Sequence, residues 1–183
     1  MEVSMRARSI ALLVCLAGCP RPNPPPGPGG GPPNVPPELA VPAGNQVTVS
    51  AAAKGVQIYE CAPDATGTPA WTLHAPRAEL FDDAGNQVAV HFGGVDKGLP
   101  AGPYWQANDG SRVHGAHPVS VANPGSIPLL RLDAADTSGT GIFSKVTFIQ
   151  RLDTTGGVSP TGACRATDTQ EIAYTAKYYF YAK

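Results

Sequence analysis

The segment that most constrains this chain runs from Ile142 to Leu152. It carries β-branched or aromatic residues at Ile142, Phe143, Val146, Thr147, Phe148 and Ile149, which fit a pleated, half-buried surface. Ile142, Val146, Phe148 and Leu152 share one parity; Lys145, Thr147 and Arg151 share the other. The alternation is imperfect, because Gln150 interrupts the apolar parity and Phe143 and Ile149 sit on the polar one. The run therefore predicts one long strand covered on both faces, at the centre of a sandwich or barrel. Gln150 becomes a buried amide that needs partners. A turn region with Gly156-Gly157 and Pro160 follows and ends at Cys164.

Elsewhere the pattern is short alternating runs between turn residues. Gln46–Ser50, Val56–Cys61 and Trp71–His74 read as strands. Ala78–Asp82 and Gln87–Phe92 flank Asp83-Ala84-Gly85-Asn86 as a hairpin, and Tyr104–Ala107 and Arg112–Gly115 flank Asn108-Asp109-Gly110-Ser111 as another. Gly93–Gly102 reads as a glycine-rich loop, Pro118–Pro128 as a connection, Leu129–Asp133 as a short strand and Ile172–Tyr181 as the last one. No helix emerges. The expectation is an all-β domain, an antiparallel β-sandwich or barrel of about ten short strands.

The N-terminus reads as an export signal. Arg6 and Arg8 precede the short apolar run Ile10–Leu16, too short to span a bilayer. Leu16-Ala17-Gly18-Cys19 resembles the lipobox of bacterial lipoproteins. That resemblance implies cleavage before Cys19, lipidation of its thiol and a membrane partner through the lipid. Pro20 follows where an acidic residue would retain the protein at the inner membrane, so the expected location is the cell envelope, with the outer membrane favoured if the source has one. Residues 20–42 are dominated by Pro and Gly, which resist both helix and central strand. The expected organisation is a signal peptide over 1–18, a tether over 19–44 and an all-β domain over 45–183. At about 3 Å per residue such a tether reaches about 60 Å.

The formal net charge is −1, and loss of Glu2, Arg6 and Arg8 with the signal makes it more acidic. That balance offers no basic stripe for nucleic acid. The four cysteines, Cys15, Cys19, Cys61 and Cys164, match no zinc spacing. Cys61 and Cys164 alone belong to the exported domain, and an oxidising compartment should pair them.

Several segments together resemble a family of secreted proteins catalogued as a domain of unknown function, number 3455. They are GVQIYEC (Gly55–Cys61), Trp71 with APRAELFDDAG (Ala75–Gly85), the Gly102–Val113 pieces, IQRLDTTGG (Ile149–Gly157) with Pro160 and Cys164, and YTAKYYFY (Tyr174–Tyr181). The resemblance implies the domain and no activity. This chain departs from it in the inserted GGVDKGLPA between Phe92 and Gly102, and at Leu129 and Arg131. A shared site near His91 would have an altered rim here.

The polar and aromatic residues inside these segments are His91, Trp105, Asp109, Gln150 and Arg151. As a binding site, Trp105 would stack on a small polar or anionic ligand and Arg151 would hold its charge. As a hydrolase, His91 and Asp109 would exchange protons. A purely structural envelope protein is the third reading. Weaker patterns are His114 and His117 with His74 or His91 as metal ligands, Ser111 as a nucleophile without the surrounding G-x-S-x-G, and Glu79, Asp82 and Asp109 as a glycosidase-type carboxylate pair. The preferred expectation is a binding or interaction module with no metal and no cofactor.

Overall fold

The computed structural model describes residues 33–183. The expected export signal, Cys15, Cys19 and the upstream part of the Pro/Gly-rich segment lie outside the described residues. The described residues form eight strands: β1 (Gln46–Pro63), β2 (Pro69–Phe81), β3 (Gln87–Gly93), β4 (Pro103–Ala107), β5 (Arg112–Asn123), β6 (Ser126–Ser138), β7 (Phe148–Gly156) and β8 (Thr169–Ala182). Each pairs antiparallel with the next, and β1 pairs with β8, so the sheet is a closed up-and-down barrel. The expected all-β barrel is present. Closure also satisfies the edges that an open sheet would expose.

Among the described residues there are eight strands where about ten short ones were expected, because bulges carry β1, β2 and β5 through residues that normally end a strand. β1 runs unbroken through Gly55, where an added Cβ would lie 2.1 Å from the Arg77 carbonyl oxygen. β2 runs through Pro76, with His74 bulged out of the β1 ladder next to it. The β3 ladder begins only at Arg77, so the missing Pro76 N–H costs no bond on that side. β5 runs through Pro118 at a second bulge, where His117 takes φ 47°.

The larger correction concerns Ile142–Thr147. This is a turn segment, and β7 begins only at Phe148. The Ser144 N–H bonds to the Gly141 carbonyl and the Val146 N–H to the Phe143 carbonyl, so Phe143 and Val146, three residues apart, turn the same way. They are 0% and 5% exposed and belong to the core. The segment closes one end of the barrel. Its β-branched and aromatic composition reflects that burial, not a ladder.

Inside, small residues on β1, β2 and β3 (Ala51, Ala53, Ala78, Ala89) face large ones on β4, β7 and β8 (Trp105, Ile149, Tyr178, Phe180). An eight-stranded barrel has an interior that side chains can fill or that can hold one small ligand. Here the end nearer Phe143 is filled and the other end is not. Cys61 and Cys164 form a disulfide across a sequence separation of 103, tying the end of β1 to the β7–β8 loop. In the chain-entropy account such a loop contributes up to about 4.7 kcal/mol.

The packed unit begins before β1. Pro37–Leu39 form a short 3-10 turn on the outer face of the barrel, with Leu39 fully buried. The Leu39 carbonyl accepts from Gln150 Nε2 at 2.6 Å and the Ala40 carbonyl from Arg131 Nη1 at 2.7 Å. This strap holds the end of the Pro-rich segment against β6 and β7.

Candidate functional site

The unfilled end of the barrel opens into a cavity of about 340 Å³. Inward-facing residues of four strands form its floor and wall: Gln57 on β1, His91 on β3, Leu130 and Leu132 on β6, and Arg151 on β7. The Gly94–Gly102 loop closes part of its rim.

Trp105 underlies the site. It is 1% exposed, and the His91 ring stacks on it at 4.3 Å with an interplanar angle of 6°. Tyr178 meets both rings edge-on at 5.4 Å. His91 Nδ1 lies 2.8 Å from the Tyr104 carbonyl oxygen. A carbonyl only accepts, so Nδ1 carries the proton and Nε2 keeps its lone pair. Burial pushes the His91 pKa down to about 3; the Tyr104 bond opposes this and the Arg151 charge adds to it. At neutral pH the ring is uncharged and can offer an acceptor but no proton from Nε2.

Arg151 points inward from β7, opposite Leu130 and Tyr178 in the ladders. Its Nε and Nη2 donate to the Pro128 carbonyl at 3.2 and 2.9 Å. Among the described residues it makes no ion pair; the carboxylate offered by sequence proximity, Asp153, is exposed at a bulge with φ 50°. Its charge is felt across the interior. Burial raises the Tyr59 and Tyr178 hydroxyl pKa values, and Arg151 opposes both shifts. Gln57 is 2% exposed, and its Nε2 has no hydrogen-bond partner; neither has Trp105 Nε1. A buried donor without a partner carries a desolvation cost of about 1–3 kcal/mol. The cavity floor thus carries the Arg151 guanidinium and the Gln57 amide with no carboxylate beside them among the described residues.

The rim differs in character. Leu73 and Val95 are 51% and 64% exposed. His74 bridges Asp96 of the loop (Nε2–Oδ1 2.8 Å) and Glu60 of β1 (Nδ1–Oε2 3.3 Å), pinning the loop to the β1–β2 hairpin.

Of the five residues singled out in the sequence, the structure brings His91, Trp105 and Arg151 together. Asp109 and Gln150 are elsewhere. Asp109 lies in the β4–β5 turn at the filled end, where its carboxylate accepts from the Ser111 N–H and Oγ and from the Ile142 N–H. The Ser111 bond, the Ile142 bond and the Ser111 N–H all lower its pKa. The Ser111 hydroxyl, fully buried, donates to Asp109 and accepts the Phe143 N–H, so both side chains hold the closing segment. Gln150 faces outward beneath the strap, with Oε1 accepting the Tyr181 hydroxyl and Nε2 bonded to Leu39.

The weaker patterns are also dispersed. Asp82 accepts from Ala84 and Asn86 within the β2–β3 turn, while Glu79 is exposed on β2. His114 stacks on Tyr104 at 4.2 Å, and His117 faces Asp133. Among the described residues no three His, Cys, Asp or Glu side chains cluster as metal ligands.

Sequence reasoning missed Gln57. Its signal was parity. Gln57 alternates with Gly55 and Tyr59, opposite to Val56 and Ile58, and β1 turns its small and polar residues inward.

The family described as "Protein of unknown function (DUF3455)" matches residues 42–182. No curated protein and no solved structure matches the chain.

Proposed function

The chain belongs to the DUF3455 family, whose description assigns no function, and from its own site we propose that the barrel is a binding module for a small anionic ligand held at the open end. One observation carries this reading. Arg151, an inward guanidinium with no carboxylate partner among the described residues, faces the same cavity as the unpartnered Gln57 amide. The guanidinium is half-buried and, among the described residues, bonded only to the Pro128 carbonyl, which leaves its charge for a ligand to pair with, and a guanidinium beside an amide donor suits a carboxylate or similar anion. His91 supports binding over proton transfer, because its Nδ1 is fixed on a carbonyl and no carboxylate orients it.

Binding to the full chain tests this, with acetate, succinate, phosphate, octanoate and uncharged glucose measured by calorimetry. At least one anion should bind with Kd below about 1 mM, glucose should not, and Arg151→Met should weaken that anion tenfold or more while leaving the thermal midpoint within a few degrees. Binding that ignores Arg151→Met, or a midpoint that drops sharply in a protein that binds none of these anions, would assign the arginine to the scaffold instead.

The same reading takes the module to be exported and held at the envelope by lipid on Cys19, on the strength of the Leu16–Cys19 motif. Cys19→Ser should abolish acyl labelling and release the protein from membranes; unchanged membrane partitioning would refute the anchor.

A further inference from the structure

We propose that the ligand is a monocarboxylate with a compact apolar body, bound head-first, its carboxylate on Arg151 and Gln57 and its body filling the cavity towards the rim. This deepens the binding reading above and rests on it. The basis is an amphipathic lining, a buried polar cluster with apolar walls beside it and an apolar rim. Gln57 and His91, each 2% exposed, lie deep, with Arg151 beside them. Leu130, opposite Arg151 in the ladder, and Leu132, two residues further towards the filled end, form an apolar wall beside them, which Pro103 and Pro118 complete. The rim ends in Leu73 and Val95, both large, apolar and more than half exposed.

A sugar or a hydrophilic dianion would set hydroxyls or a second charge against these walls with no protein donors to receive them. An apolar body would instead remove both the walls and the two exposed rim side chains from water. The charged groups at the rim are Glu60, His74 and Asp96, and they bond to one another. They leave no cation there for a second anionic group, which limits the ligand to one carboxylate.

Volume sets the size. At roughly 30 Å³ for each water-sized unit, the 340 Å³ cavity holds about eleven, close to a straight eight-carbon acid or a small aryl acid. This is the small end of ligand cavities, which run from about 300 to 1,000 Å³.

The experiment is calorimetry on the full chain with acetate, hexanoate, octanoate, succinate and 1-octanol. Each added methylene from acetate to octanoate should tighten binding by about threefold, a little under the fourfold of full burial. Octanol should bind at least tenfold more weakly than octanoate. Val95→Asp and Leu73→Asp lie on exposed positions that the fold does not need, and each should weaken octanoate about fivefold or more while leaving acetate unchanged. If acetate or succinate binds as tightly as octanoate and depends on Arg151, the anion-binding reading stands and the apolar body is wrong. If octanol matches octanoate, the carboxylate is wrong. If nothing in either series binds, both readings fall.

Discussion

Gln57 and Gln150 are almost equally buried, at 2% and 1% exposed, yet they sit in regions of opposite character. Beneath the strap, both ends of the Gln150 amide are used, Oε1 by Tyr181 and Nε2 by Leu39, each at 2.6 Å. At the open end, Gln57 Nε2 has no partner and its neighbour Arg151 has no counter-charge among the described residues. The first region spends its polarity within the fold; the second keeps it in reserve. Burial alone therefore does not distinguish an amide used by the fold from one left without a partner. Whether the donors are satisfied does.

The largest difference between the two regions should appear with pH. His91 belongs to the open-end cluster, and its folded pKa near 3 lies below the ordinary histidine value of 6.5. The unfolded chain therefore takes up the proton first. Stability from this group is complete above pH 6.5 and is lost as pH falls towards 3, by about 2 kcal/mol at pH 5. Beneath the strap, burial holds the Tyr181 hydroxyl up at about 12, far above this window. Urea unfolding at pH 7, 6 and 5 should show the loss in the parent protein and a correspondingly shallower slope in His91→Phe. Equal slopes would place the pH sensitivity elsewhere.

A smaller effect, of opposite sense at the two sites, should follow from changing each glutamine to leucine. Gln150→Leu strands the Leu39 carbonyl and the Tyr181 hydroxyl, and should lower stability by about 1–2 kcal/mol. Gln57→Leu removes a donor that has no partner, and should leave stability within about 0.5 kcal/mol or raise it, while abolishing the anion binding proposed above. If Gln57→Leu proves the more destabilising of the two, the contrast between the regions collapses.

Much of the barrel was legible in the sequence. Asn108–Ser111 and Asp83–Asn86 carry turn chemistry that the structure uses as such, and Tyr174, Tyr178 and Phe180 share the inward parity read for the last strand. The Cys61–Cys164 pairing was also legible, since two thiols remained for one bond. The Ile142–Thr147 turn was not, because hydrophobic burial at a barrel end and at a ladder demand the same residue types. Only Gly139 and Gly141, at φ 74° and 145°, mark it as a turn. Gln150 is the buried, partnered amide that its place in the run predicts, but it lies outside the barrel, because the strap supplies a second buried layer that no local pattern encodes. The meeting of His91, Trp105 and Arg151 depends on ring closure, a long-range event, so the sequence could nominate them individually while missing that Gln57 completes the set.

The strap has a mechanical consequence. Before β1 begins at Gln46, paired to Ala182, the chain passes through Leu39 and the carbonyl contacts to Gln150 and Arg131, with Pro33–Pro36 lying along Asn123, Leu129 and Leu152. Tension applied from upstream reaches these contacts first. They are few, and β1 behind them is zipped to β8 from Gln46 to Glu60, so the strap detaches under a load that leaves the barrel closed. Its release adds about ten residues of free chain, on the order of 30 Å, before force reaches the barrel.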